Sequence, residues 1–159
     1  MTEPSNMRSV SRTLAWAVAA MILAQPVAAF SGELAWTQDR TSTGLHPKGG
    51  EVAVSYQRTA RDPSVPAAAR VTRVYASRRY SSGVDLETRV CWRSPTGPCV
   101  PFLGAQLNTD QFDGLSAQGP FVLVHRVKTW AGAASPLFVS GTVTVWFAVP
   151  PIGSQHDLR

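Results

Sequence analysis

The chain contains few of the residues that usually carry chemistry. Two of its 159 residues are cysteines and three are histidines. No histidine has a second histidine or a carboxylate at metal-ligand spacing, so the sequence predicts no metal site. It also has no G-x-S-x-G elbow and no glycine-rich phosphate loop. We therefore expect no catalytic residue, no cofactor and no metal, and we predict that the protein is not an enzyme.

One pair of carboxylates could be mistaken for a catalytic pair. Asp110 and Asp113 lie close together in the stretch LNTDQFDGL, and a glycosidase needs two carboxylates facing one sugar bond. Asn108 and the dipeptide Asp113-Gly114 are common turn formers, however. The sequence favours a turn here.

Charge is sparse and the long apolar runs of a membrane protein are missing. Charged residues make up 16% of the chain, and 15 Lys and Arg against 10 Asp and Glu give a net charge of +5. In an exported protein this balance indicates solubility or attraction to an anionic partner. We expect no nucleic acid partner and no membrane span after signal cleavage.

The N-terminus has the organisation of a cleavable secretory signal. Arg8 and Arg12 precede an apolar run at residues 14–24 that is shorter than the roughly 20 residues needed to cross a bilayer. Pro26 follows, and small residues up to Ala29 suit a signal peptidase. We predict a Sec-type signal peptide over residues 1–29, a single domain over residues 30–159, and a periplasmic location.

The remainder of the chain has the pattern of an all-β protein. Short alternating segments are separated by clusters of Gly, Pro, Ser or Asn, and no segment keeps a helical period. Many short strands with regular turns predict a sandwich or a barrel. Strands are expected at residues 33–37, 51–57, 71–76, 84–92, 99–103, 111–115, 121–127 and 142–149.

The two cysteines flank a predicted turn. Residues 84–92 alternate apolar and polar side chains, and residues 94–98 are Ser, Pro, Thr, Gly and Pro. Paired strands would bring Cys91 and Cys99 within the Cα separation of about 7 Å that a disulfide requires. A disulfide in a hairpin agrees with export to an oxidising compartment.

Basic residues cluster in the segment that precedes the predicted strand at residues 84–92. Arg70, Arg73, Arg78 and Arg79 fall within ten positions and are followed by Tyr80. Strict alternation puts Arg70 and Arg78 on one face and Arg73 and Arg79 on the other. The simpler interpretation is a solvated face. The more specific one is a docking patch for an acidic partner, because Arg and Tyr are frequent anchors in binding interfaces.

Several segments together resemble one protein family, FlhE, whose members are small exported accessory proteins of bacterial flagellar systems. The resemblance is strongest at TRVC and CVPFLG, on either side of the cysteine turn. It extends to GELAWTQ, to Arg78-Arg79-Tyr80, and to NTDQFDGL, PFVLVHRV, GAASPLFV and TVTVWF, in that order along the chain.

The resemblance implies an immunoglobulin-like antiparallel β-sandwich of about seven to eight short strands. It also implies a periplasmic, non-enzymatic protein that keeps flagellar secretion and rod assembly orderly, in a chaperone-like or sealing role. Flagellar rod or export-apparatus proteins are the expected partners. Arg78, Arg79, Tyr80 and Trp146 are the candidate partner-binding residues, and the last strand, at 142–149, is a candidate exposed edge. The alternative is a generic periplasmic module that binds a glycan or small ligand through Trp130 and Trp146.

Overall fold

The computed structural model describes residues 32–47 and 50–150. The predicted signal peptide therefore lies outside the described residues. Within them, no helix is long and apolar enough to cross a membrane. The strands are β1 (Leu34–Thr41), β2 (Glu51–Tyr56), β3 (Arg70–Arg79), β4 (Val84–Trp92), β5 (Cys99–Pro101), β6 (Gln106–Thr109), β7 (Phe121–Trp130) and β8 (Ser140–Ala148).

Two antiparallel sheets form a sandwich. One sheet has the strand order β1-β8-β3-β6 and the other β2-β7-β4-β5. The chain thus pairs as a nested hairpin, in which β4 pairs with β5, β3 with β6, β2 with β7 and β1 with β8. The predicted all-β antiparallel sandwich with one hairpin disulfide is confirmed. Its strand order is that of an eight-stranded jelly roll and differs from the ABED and CFG sheets of immunoglobulin domains.

Alternation along the strands builds the core between the sheets. In β8, for example, Val143, Val145 and Phe147 are buried, while Thr144 and Trp146 between them are half-buried on the other face. Phe121 of β7 packs edge-on against Phe112, with ring centroids 5.2 Å apart. Trp36 of β1 is also buried in this core.

One predicted strand is wrong. The segment expected to be extended, residues 111–115, forms turns in which the Asp113 amide donates to the Asp110 carbonyl oxygen over 2.8 Å. Gly114 adopts a positive φ of 76°, which suits glycine. The strand lies earlier, at β6, whose four residues are mostly polar because one face of this edge strand is solvated.

The last strand is not an edge. β8 is hydrogen-bonded on both sides, to β1 and to β3, so its main-chain groups have no free side. The candidate edge at 142–149 is therefore wrong, and the alternation of β8 is that of a central strand with one buried face. The outermost strands of the two sheets are β1 and β6, and β2 and β5.

A bulge in β3 corrects the predicted faces of the arginines. The register against β8 shifts between Val71 and Arg73. The extra residue reverses the alternation, so the buried positions are Val71 before the bulge and Val74 and Ala76 after it. Arg70 and Arg78 therefore do not share a face: Arg78 continues the inward series and Arg70 is exposed.

The disulfide joins directly opposed residues of β4 and β5. Cys91 and Cys99 are register partners with Cα atoms 4.1 Å apart, and a disulfide connects them. Next to it the Trp92 amide donates to the Pro98 carbonyl oxygen over 2.9 Å. Cys91 and Cys99 also pack with Val122 and Val124 on the outer face of the sheet. The disulfide thus closes the tip of the nested hairpin.

Replacing Cys91 by serine is expected to lower the melting temperature and leave a folded protein. The bridge closes a loop with a sequence separation of 8, and loop entropy assigns such a short loop less than about 3 kcal/mol. Thermal unfolding followed by circular dichroism measures the change, with the reduced wild-type protein as the matched control. A variant that is already unfolded at room temperature contradicts this expectation.

Candidate functional site

A layer of polar side chains divides the interior. Arg78 of β3, Thr88 of β4 and His125 of β7 form this polar layer, and Thr88 and His125 are fully buried. On one side lies the main core. On the other lies a smaller apolar cluster, whose fully buried members are Leu45, Leu86, Leu137 and Val139.

Hydrogen bonds join the three residues of the polar layer in series, from Arg78 to Thr88 and from Thr88 to His125. Arg78 Nη1 donates to the Thr88 hydroxyl over 2.7 Å and also to the Leu86 carbonyl oxygen. The Thr88 hydroxyl lies 2.9 Å from Nδ1 of His125. Because this hydroxyl accepts from Arg78, its own proton is free for Nδ1, and the network assigns the imidazole proton to Nε2. His125 Nε2 has no hydrogen-bond partner among the described residues.

Burial keeps His125 neutral. Desolvation, followed by the nearby Arg78 charge, lowers the pKa of His125 from 6.5 to about 4. A buried neutral imidazole next to a guanidinium can hold Thr88 in place. The His125 imidazole cannot act as a base toward a ligand in solvent, because none of its surface is exposed.

Arg78 joins the polar layer to the surface. Its guanidinium carbon lies 5.5 Å from the Tyr80 ring centroid and 5.7 Å from that of Phe102, which offers cation–π stabilisation. Its Nε is buried without a hydrogen-bond partner among the described residues. A partly buried guanidinium without a paired carboxylate is costly to maintain.

A surface cleft opens where Arg78 enters the sheet. Its volume is about 680 Å³, and we call it the cationic cleft. Its charged lining residues are three arginines, Arg40, Arg78 and Arg79, against one carboxylate, Asp39. The hydroxyl side chains of Thr41, Ser77, Ser140 and Thr142 also line it, together with Ala105, Gln106 and Gly141. Such a lining can bind an anionic or strongly polar ligand.

Packing against Gly141 shapes the inner wall of the cationic cleft. A Cβ atom on this residue would lie 2.4 Å from the Tyr56 hydroxyl oxygen and 2.8 Å from Leu123 Cδ1. Burial raises the pKa of Tyr56 to about 12, and its hydroxyl donates to the Arg40 carbonyl oxygen over 3.4 Å. Any larger residue here would force the buried Tyr56 and Leu123 side chains between the two sheets to shift.

The structure brings three of the four predicted binding residues together. Arg78, Arg79 and Tyr80 lie at one end of the sandwich, with Arg78 directed inward and Arg79 exposed. Trp146 does not join them, since it pairs with Arg73 six positions earlier in β3. The Arg73 guanidinium carbon covers the Trp146 ring at 4.3 Å.

Trp130 does not offer an exposed ring either. It is half-buried in the smaller apolar cluster, and its Nε1 donates to the Ala133 carbonyl oxygen over 2.9 Å. This contact ties the end of β7 to the following loop, so the residue has a structural role.

Sequence reasoning missed Arg40, Thr88 and His125 as parts of the site. Two of them carried a usable pattern: Thr88 follows Leu86 and precedes Val90 at inward positions, and His125 continues the inward series of Phe121 and Leu123. A polar residue at an inward position on each of two paired strands indicates a buried polar layer. Arg40 had no such pattern, because its place at the cleft depends on the partner strand β8.

Comparison with known proteins identifies a shared fold. The chain is similar to FlhE in its crystal structure, with a TM-score of 0.50 and 24% sequence identity, covering 73% of this chain and 97% of that chain. It also aligns with a chain of Desmodium yellow mottle tymovirus (TM-score 0.33, 10% identity, 95% and 99% coverage). A chain of the cyanophage Pam1 capsid aligns as weakly (TM-score 0.33, 17% identity, 91% and 100% coverage). No family model and no curated protein matches the sequence. The fold is therefore FlhE-like.

Proposed function

We propose that this protein is a non-enzymatic accessory factor of flagellar assembly that works in the periplasm. The FlhE-like fold, which spans 97% of the FlhE chain, is the observation that supports this most directly. The order of short sequence segments that resemble the FlhE family supports it independently of the fold. The hairpin disulfide fits an oxidising compartment.

The proposed role is to bind a flagellar rod or export-apparatus protein and to keep its assembly orderly, as a chaperone or as a seal. One feature of the described residues agrees with a binding protein. The cleft at one end of the sandwich is lined by charged and hydroxyl side chains that could contact a polar partner surface.

Deletion of the gene is expected to leave flagellar filaments trapped in the periplasm. An accessory factor of this kind keeps rod and filament subunits from assembling in the wrong compartment, and its loss removes that restraint. Electron microscopy of thin sections of the cell envelope measures the position of the filaments, and a plasmid-borne copy of the gene should restore them to the cell surface.

The matched control is a plasmid copy that lacks residues 1–29. If these residues export the protein, the truncated copy should be retained in the cytoplasm and fail to restore the filaments. Normal flagella and normal motility in the deletion strain would contradict the flagellar role. Restoration by the truncated copy would contradict the periplasmic location.

A further inference from the structure

We propose that the outer face of the β1-β8-β3-β6 sheet binds an uncharged glycan chain, with the cationic cleft as part of the binding surface. Ser77, Gln106 and Asn108 would hydrogen-bond to the hydroxyl and acetamido groups of the sugars, and the Tyr75 ring would pack against a sugar ring. The inference goes beyond the proposed accessory function and does not depend on it.

The strand register places two rows of polar side chains across this face. Residues directly opposite each other on paired strands share a face, and the buried Val143 and Val145 leave Thr142 and Thr144 on the outer one. The first row consists of Asp39, Thr142, Ser77 and Gln106, and the second of Thr37, Thr144, Tyr75 and Asn108. Each of the four strands thus contributes one polar side chain to each row.

The cationic cleft lies on this outer face. Its lining contains the complete first row and the neighbouring outward residues of β1, β8 and β3. Arg40 and Arg78, by contrast, are register partners of Gly141 on the inner face. Among the described lining residues, the charged side chains on the outer face are therefore Asp39 and Arg79, whose charges balance. Hydroxyl and amide groups without a net charge suit an uncharged polar ligand.

The polar side chains of β1 and β8 bond to one another. The hydroxyls of Thr37 and Thr144 lie 2.9 Å apart, and the Thr142 hydroxyl donates to an Asp39 carboxylate oxygen. These hydrogen bonds cross between neighbouring strands and use donors and acceptors that would otherwise face solvent. A ligand therefore finds fewer free groups on this half of the face.

The polar side chains of β3 and β6 have no such pairing. Tyr75 lies opposite Asn108, and Ser77 lies opposite Gln106, yet none of these four side chains hydrogen-bonds to another residue in 32–47 or 50–150. The two amides are exposed, and the two hydroxyl residues are half-buried beside them. Each of the four groups can both donate and accept. This half of the face can therefore exchange hydrogen bonds with sugar hydroxyl and acetamido groups.

Tyr75 provides an aromatic ring at the middle of the face. An aromatic ring offers a flat apolar surface, on which the C–H side of a sugar ring can pack. Trp146 is less suited to this, because the Arg73 guanidinium covers it at 4.3 Å. The Tyr75 ring makes no aromatic or cation–π pair with any described residue, and it lies between Thr144 and Asn108, which offer hydrogen bonds on either side.

The same features favour a glycan over a peptide. A peptide that adds to a sheet pairs its main chain with an edge strand and places its side chains in pockets. This face presents side chains instead, and of the described residues that line the cleft only Ala105 and Gly141 lack a polar side chain. The outward positions of β3 from residue 73 to residue 79 extend over about 20 Å, which accommodates several sugar rings of an extended chain.

Binding of a defined sugar chain tests the inference. The probe is chitohexaose, a β-1,4-linked hexamer of N-acetylglucosamine, titrated into the purified protein by isothermal calorimetry. We expect it to bind with an affinity that changes little between low and high salt, because the ligand is uncharged. Cellohexaose has the same linkage with hydroxyls in place of the acetamido groups. It should bind more weakly, because the side-chain amides of β6 lose their matching partners.

Paired variants locate the site. The double variant Gln106→Ala with Asn108→Ala should lower the affinity for chitohexaose about tenfold or more. Both residues are exposed on an edge strand, so the fold should stay intact. Tyr75→Leu keeps an apolar side chain but removes the flat ring, and it should also weaken binding. The matched control is Gln57→Ala with Gln118→Ala, which removes two exposed amides outside this sheet and should leave the affinity unchanged.

Three results would overturn the inference: no binding of chitohexaose, equal affinity in the Gln106/Asn108 and control variants, or displacement of chitohexaose by a lower concentration of a blocked hexapeptide of serine and asparagine. Each of these leaves the flagellar proposal standing if the deletion strain traps filaments in the periplasm. Conversely, sugar binding at this face in a protein whose deletion leaves flagella normal keeps the glycan site and removes the flagellar role.

Discussion

Acidification from pH 6.5 to pH 4.5 is expected to lower the free energy of unfolding by about 2 to 3 kcal/mol through His125 alone. Burial and the Arg78 charge hold the pKa of the folded imidazole at about 4, against 6.5 for an ordinary histidine. Well above pH 6.5 both folded and unfolded imidazoles are neutral. As the pH falls below 6.5, the imidazole is protonated in the unfolded chain but stays neutral in the folded protein. The free energy of unfolding therefore decreases until the pH reaches the pKa of the folded imidazole.

Chemical denaturation across this pH window measures the effect. The hydrogen bond from Arg89 holds the pKa of Glu51 below its ordinary 4.5. This carboxylate therefore stabilises the fold fully above that value and begins to lose its contribution only at the lower end of the window. The variant His125→Gln can still bond to Thr88 and does not titrate, so its stability should be nearly constant there. His46→Gln, which changes an exposed histidine, is the control and should keep the wild-type slope. An equally steep slope in His125→Gln would refute the assignment.

Truncation of Phe121 to alanine is expected to destabilise the protein by about 3–5 kcal/mol. Its ring is fully buried and packs edge-on against Phe112, so alanine leaves a cavity at the centre of the sandwich and removes an aromatic pair. This loss is a large share of the roughly 5–15 kcal/mol that holds a typical domain folded.

The same substitution at an exposed phenylalanine provides the matched control. Phe138 is 55% exposed, and Phe138→Ala should change the free energy of unfolding by less than about 0.5 kcal/mol. Urea unfolding of both variants measures the contrast. Similar losses at the two positions would mean that the Phe121 ring is not a central element of the core.

Local patterns predicted the strands well where burial alternates strictly. The inward residues of β4 and β8 follow the period of two in the sequence, and the turn residues between Cys91 and Cys99 made the hairpin and its disulfide predictable. The edge strand β6 was not predictable, since four mostly polar residues contain too little alternation to distinguish them from the neighbouring turn.

The candidate site was predictable only in part, because its geometry depends on long-range pairing. Arg78, Arg79 and Tyr80 are neighbours in sequence and were recognised. The inward direction of Arg78 depends on the bulge near Thr72, and nothing local marks that extra residue. Arg40 reaches the same cleft through β8, a strand about a hundred residues away in the chain. Such contacts become visible only in the folded protein.

The nested pairing of the strands also bears on the order in which the chain can fold. The hydroxyls of Thr37 and Thr144 bond across a sequence separation of 107, and closing so long a loop in one step is slow. Once β4 has paired with β5, however, β3 and β6 are separated from them only by the short connections at residues 80–83 and 102–105. Each pair outside them is joined to the one inside by two further connections, the longest at residues 57–69. The topology allows the strand pairs to form one after another, starting from the β4–β5 turn. In that order β1 and β8, which form two walls of the cationic cleft, pair last.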